Sequence, residues 1–197
     1  MIFLSGILVD LVPFGDRFWA NVPEWENGPA AYWASAGERM VLSHATVDRW
    51  RQHRQDNDNH GVLSFGMQTK SGTPIGEISL NWVSAHHRST EIGISIGNPA
   101  YWGGGYGTDA LLLVVEYAFE WLDLRRIIVE TMALNERVQR QMDKTGFTLE
   151  ARRLSYWYVG SSAWSDTLIY GMQREEWPGR AALVERLGLK PHAAPEA

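Results

Sequence analysis

Two hydrophobic periods alternate along the chain, and the places where one gives way to the other mark out its elements. Apolar residues cluster from Ile7 to Val12 as a strand that Pro13 and Gly15 end. From Asp16 to Gly37 the period is lost among Trp19, Trp25, Tyr32 and Trp33, with Pro23, Gly28 and Pro29 between them, which predicts short helices and loop. Ser43 or Thr46 can cap a helix carrying Val47, Trp50 and Arg54, and residues 55–61, QDNDNHG, read as a polar turn. Three strands follow, Val62 to Thr69, Ile75 to Val83 and Thr90 to Gly97, with linkers short enough for an antiparallel meander. Leu111, Val114, Val115, Ala118 and Leu122 then recur at helical spacing with Glu116 and Glu120 opposite them. Arg125 to Leu134 is β-branched enough for a buried strand. Asn135 caps a short helix with Val138 and Met142 inward and Gly146 as its C-cap. Leu154 to Val159 and Thr167 to Met172 form a hairpin, and Pro178 to Leu187 a last helix before a tail expected to be disordered.

This order predicts a mixed α/β fold with helices on both faces of the sheet. At 197 residues and 45% hydrophobic the chain can bury one core, so one domain is expected over residues 1–176, with a C-terminal helix and tail over 177–197. The absence of cysteine removes disulfides, thiolate metal sites and thiol nucleophiles, and suits a reducing compartment. The N-terminus lacks a basic leader and no run of ~18 apolar residues occurs, so a cytoplasmic protein with no membrane partner is expected. A net charge of -5 argues against a nucleic-acid footprint and slightly favours cationic small partners. A homodimer is open to it.

The segment from Asn98 to Leu122, NPAYWGGGYGTDALLLVVEYAFEWL, changes the picture most. Glycine at 103, 104, 105 and 107, between a strand and a helix, frees N–H groups at the positive end of the helix dipole and keeps side chains away from an anion. A glycine run can equally be a loose loop or a helix cap. No lysine follows Gly107, as a P-loop requires, and Glu130 lies inside the next strand rather than at its end, where a dinucleotide fold would need it.

Together, TEIGISIGNPAYWGGGYGTDAL, RRIIVETMALNERVQRQMDKTGF and WSDTLIYGM resemble, in this order, the GNAT superfamily of acetyl-CoA-dependent N-acetyltransferases, and most closely its RimJ/RimL-type branch. The resemblance covers most of Thr73 to Met172. It implies a GNAT fold whose largely antiparallel sheet splays between its fourth and fifth strands, with acetyl-CoA as co-substrate and no metal. The family's pyrophosphate motif falls on Trp102, Gly105 and Gly107, its first position departing from the usual residue, and implies cofactor contacts along Trp102, Gly103, Gly104, Gly105, Tyr106, Gly107 and Thr108. It also implies that Ile94, Ser95 and Ile96 offer backbone groups to the pantetheine arm and that Asn135 contacts it, a role compatible with capping.

Transfer of an acetyl group to an amine needs a base for the ammonium proton and an N–H donor for the carbonyl oxygen. Strand parity puts Glu91 with Gly93 and Ser95, and Glu77 with Ser79 and Asn81, on faces opposite the apolar ones, so Glu91 and Glu77 are the candidate bases or amine anchors; each can also be an ion-paired strand residue. At the positions where the family often has a serine and a tyrosine stand Val138 and Met142. Tyr156, Tyr158 or Ser155 could act as the acid instead, or a thiol of pKa ~8.5 could leave unprotonated. His86 and His87 read as solvated turn residues. Among ten tryptophans, Trp50, Trp82 and Trp121 fit buried or half-buried positions, whereas Trp19, Trp25 and Trp33 either wall the site of an amine acceptor, a protein N-terminus or a small molecule, or cover a sheet edge. A GNAT-fold protein that binds or senses acetyl-CoA without turnover is the alternative to an enzyme.

Overall fold

The computed structural model describes residues 2–34, 37–38, 41–56, 61–193 and 195. Most of the polar turn expected at 55–61 lies outside them. Eight strands form one sheet: β1 (Leu4–Ser5), β2 (Val9–Pro13), β3 (Leu63–Thr69), β4 (Pro74–Ser84), β5 (Ser89–Ile96), β6 (Arg126–Met132), β7 (Thr148–Gly160) and β8 (Ala163–Gln173), in the order β1-β2-β3-β4-β5-β6-β8-β7. All neighbours are antiparallel except β5 and β6. The strand expected from Ile7 begins at Val9, and Leu4–Ser5 before it adds β1, joined through a tight hairpin in which Gly6 N–H donates to the Val9 carbonyl oxygen.

The β5–β6 pairing is parallel and brief. Ser89 pairs with Arg126, Thr90 with Ile127 and Glu91 with Ile128, and beyond Glu91 the two strands part. The splay implied by the family resemblance is therefore present, and it opens directly after the candidate base.

Helices cover both faces. On one lie α1 (Asp16–Trp19), α2 (Val22–Asn27), α3 (Pro29–Ala34) and α4 (His44–Asp56), which Ser43 caps by accepting the Thr46 N–H at 3.2 Å. Phe18, Val22, Trp25 and Val47 bury a small core beneath them. The main core holds Ile78, Leu80, Ile92, Ile127 and Val129 from the sheet against the apolar stripe of α5 (Tyr106–Glu116), which continues as a π-helical turn over Tyr117–Trp121. Then come α6 (Glu136–Thr145) and α7 (Arg180–Leu187). Asp109, fully buried in the first turns of α5, accepts the N–H groups of Leu8 and Val9 at 2.7 and 3.1 Å and faces Arg180 of α7 at 3.4 Å. Burial of an aspartate is tolerable here because its charge is hydrogen-bonded and paired.

Three expectations about aromatic burial fail, the mildest at Trp50, which is 39% exposed on α4. Trp121 is 77% exposed at the end of the π-turn, and Trp82 is 70% exposed at a bulge of β4, where its φ of +51° turns it off the pleat. The β7–β8 hairpin lies where it was expected but is much longer, and β7 carries a bulge between Arg153 and Trp157.

Candidate active site

One cavity of about 1190 Å³ runs through the splay. Its walls come from α3, β5, the glycine loop, β6, the face of α6, Trp157 of β7 and the end of α7. Gly97 N–H donates to Ile75 O at 2.9 Å, so in the β4–β5 register the backbone groups of Ser95, Gly93 and Glu91 also turn toward β4. Those of Ile94 and Ile96 turn the other way, into the splay, where β6 has already departed, whereas the Ile92 N–H on that side is still taken by Ile128 in the Glu91–Ile128 pairing. Ile94 and Ile96 are thus positioned to pair with an extended chain, whereas Ser95, expected to share this role, has its backbone committed to Glu77. The Ile96 carbonyl already accepts the Trp102 indole N–H at 2.8 Å, leaving its N–H as the freer group.

The glycine loop forms one end of the cavity. Gly105 caps α5 with φ +88°, a left-handed conformation that glycine adopts without penalty. Asp109 N–H is the first to bond within the helix, to Gly105 O at 2.9 Å, so the N–H groups of Tyr106, Gly107 and Thr108 have no intrahelical partner. Trp102, Gly103, Gly104, Gly105, Gly107 and Thr108 line the cavity, but the Tyr106 ring turns into the core against Tyr101, 5.2 Å between centroids, leaving that residue only a backbone role. Around this end stand Arg137, Arg140 and Lys144 on one face of α6, and Arg186 from α7. Arg137 stacks over Trp102 at 4.2 Å, and burial together with Arg140 pushes its guanidinium below the usual arginine range. An anion would relieve that crowding.

The opposite end is acidic and aromatic. Glu91 and Glu130 line it with Trp33, Trp82 and Trp157. Burial, then repulsion from Glu130, raises the Glu91 carboxyl above the ordinary value, with Arg153 opposing. Glu130 is held by Arg153 at 3.2 Å, whereas Glu91 has no hydrogen-bond or ion-pair partner among the described residues. Glu77, the other candidate, pairs with Arg54 at 2.9 Å outside this cavity, because β4 carries it beneath α4.

Of the tryptophans expected at an acceptor wall only Trp33 lies there. Trp25 packs its indole where a side chain on Gly97 would otherwise sit, and Trp19 stacks edge-on with Phe14 at 5.2 Å beneath Arg54. Met142 is fully buried, Val138 reaches the cavity as an apolar wall, and Tyr156, Tyr158 and Ser155 stay outside it. None of the residues considered as a general acid therefore lines the site. His86 and His87 are exposed turn residues, and among the described residues no cluster of His, Asp and Glu could hold a metal.

Asn135 combines two functions at the mouth of the splay: its Oδ1 accepts the Val138 N–H at 3.4 Å as the α6 cap, and it lines the cavity. Asn135→Ala should lower stability by ~1 kcal/mol and raise the KM for acetyl-CoA. Thermal unfolding alongside steady-state kinetics checks this, and a change in stability alone would leave the residue as a cap only.

Residues 11–148 match the family model described as an acetyltransferase (GNAT) domain. A Bacillus subtilis protein named as a ribosomal N-acetyltransferase, YdaF, is 31% identical over 133 residues, 68% of this chain and 69% of its own. Among solved structures, a spermidine N-acetyltransferase from Vibrio cholerae in complex with CoA and spermine superposes with a TM-score of 0.73 at 18% identity, covering 85% of this chain and 96% of that one. RimJ of Mycobacterium smegmatis in complex with CoA-disulfide gives 0.68 at 22%, covering 91% and 89%. No helix among the described residues is long and apolar enough to cross a membrane. With an open sheet, a glycine loop at its splay and these likenesses together, the chain belongs to the GNAT family of acetyl-CoA-dependent N-acetyltransferases, on its RimJ/RimL-like side.

Proposed function

We propose that the acceptor is a primary amine presented as a cation at the acidic end of the cavity, and that Glu91 takes its proton. The observation that carries this is the polarity of one continuous cavity: Arg137, Arg140, Lys144 and Arg186 at the glycine loop, and Glu91 and Glu130 among three tryptophans at the other end. A cation fits between carboxylates and aromatic faces, and a half-buried carboxylate without a partner is a natural receiver of its charge.

The residues present fit acetyl-CoA. The unpaired backbone groups of Ile94 and the N–H of Ile96 suit an extended amide-bearing arm, and the free N–H groups of Tyr106, Gly107 and Thr108 with the basic side chains suit its phosphates. When bound, it supplies an acyl group activated as a thioester. Trp33, Trp82 and Trp157 orient the amine and exclude water. Glu91, neutral at low pH and charged above its raised pKa, removes the ammonium proton directly or through water. The Ile94 N–H group, turned into the splay, is the donor available to the acyl oxygen as it gains charge. Without a hydroxyl from Val138 or Met142, the thiol leaves as its anion, which its pKa of ~8.5 permits.

A protein N-terminus and a small-molecule amine share this chemistry. Release of thiol from acetyl-CoA, measured against N-terminal peptides, polyamines and amino sugars, separates them, and binding of acetyl-CoA with no release on any acceptor would favour a sensor instead. A cytoplasmic setting belongs to the same proposal, and cell fractionation tests it. Because Glu130 helps to raise the Glu91 carboxyl, Glu130→Gln should move the acidic limb of the kcat profile to lower pH. A limb left in place would remove that coupling.

A further inference from the structure

The chain from α7 onward runs back to the glycine loop, although the family model's match ends at residue 148. Three contacts tie it there in sequence order. Arg180 meets the buried Asp109 near the start of α5 at 3.4 Å. Leu189 packs on Gly105, so closely that a Cβ on that glycine would lie 3.2 Å from its Cδ2. His192 then places Nε2 at 2.9 Å from the Gly104 carbonyl oxygen, Nδ1 at 2.9 Å from the Ala193 carbonyl oxygen, and its ring edge-on to Tyr106 at 5.3 Å.

Both ring nitrogens of His192 thus face acceptors. A neutral imidazole has one N–H and one lone pair, so it can satisfy one carbonyl while its lone pair confronts the other; only the imidazolium donates to both. We propose that the segment from Arg180 to His192 is a built part of the cofactor-phosphate site, with His192 a positioning residue that clasps the Gly104 carbonyl as a cation, ordering the loop and adding a positive charge beside it. This rests on the reading of residues 103–107 as the phosphate cradle. Hydrogen bonds to the Ala193 and Gly104 carbonyls hold the imidazole above its ordinary pKa, with burial acting the other way. Tyr106 of α5 is the titratable side chain packed against the ring, with Tyr101 behind it, and no charged side chain contributes to that shift. The sign follows: the clasp is complete below the raised pKa and is lost as pH rises through it.

The test is CoA affinity by calorimetry between about pH 5.5 and 8.5, on the full chain and on His192→Ala, together with amide hydrogen exchange of the loop without ligand. A phosphate monoester titrates near pH 6 as well, so the difference between the two proteins is the quantity to read. His192→Ala should bind CoA about tenfold more weakly at the acidic end, the scale of one nearby charge, converge on the parent at the alkaline end, and exchange its 103–107 amides faster. Equal affinities at every pH would overturn the proposal, whatever the exchange shows. A converse pattern, a deficit that grows with pH, would overturn it too. Failure of the phosphate-cradle reading itself is seen separately, as CoA affinity that survives Gly107→Glu.

Discussion

Glu91→Gln should lower kcat by ~100-fold or more while leaving the affinity for acetyl-CoA almost unchanged, because the amide keeps the shape and hydrogen-bonding reach of the side chain and loses only its basicity. The acidic limb of the kcat profile should vanish with it. Stability separates this role from a structural one. A carboxylate that stabilised the sheet through an ion pair would lower the melting temperature when neutralised. Glu91 is instead desolvated, repelled by Glu130 and unpaired, so the variant should melt at the same temperature as the parent or above it. Near-normal turnover with an intact acidic limb would remove Glu91 from the reaction, and Glu77, held by Arg54 outside the cavity, would be a poor replacement.

Gly107→Glu should abolish acetyl-CoA binding in calorimetry without unfolding the protein. Gly107 is the second residue of α5 and outside the left-handed region; a Cβ there would sit at ordinary contact distance, 3.4 Å from Ile96 Cδ1 and 3.6 Å from Ile94 Cδ1. The added carboxylate would enter the cavity where the helix N–H groups converge, meeting any phosphate with bulk and like charge. Gly105→Glu would also disrupt binding but is less informative. At φ +88° any side chain is strained by ~1–2 kcal/mol and this one would press on Leu8 and Leu189, so weakened binding there could follow from a distorted loop. A folded Gly107→Glu protein with parental affinity would sink the cradle.

Much of this was legible in sequence because the features are local. The apolar stripe of α5, the Asn135 cap, the Gly146 C-cap at φ +90° and the parity of β5 each follow from a few neighbouring residues. What escaped lies where local rules break. Trp82 and Trp157 reach the acidic end of the cavity through bulges in β4 and β7, and a period of two cannot foresee which face a strand presents after a bulge. Trp19 and Trp25 share the composition of an aromatic wall, but α1 and α2 turn them into a separate core, a matter of helix placement rather than residue type. The basic cluster was readable in principle from Arg137, Arg140 and Lys144 on one helical face. Arg186 and His192 join it only because α7 folds back on α5, a contact about 70 or more residues distant in sequence, for which no short motif exists.

The early parting of β5 and β6 also bears on how long the molecule survives. Backbone groups that a neighbouring strand would normally pair are left to water, so the native state is incomplete until an extended ligand takes them. Ligand that binds only the folded form then acts as a missing strand supplied by mass action: at a hundredfold excess over Kd it should add ~2.7 kcal/mol, and the melting temperature should climb with its concentration rather than plateau at saturation. Proteolysis ought to follow the same dependence, cutting the protein fastest when acetyl-CoA is scarce and linking its lifetime to the supply of its own co-substrate.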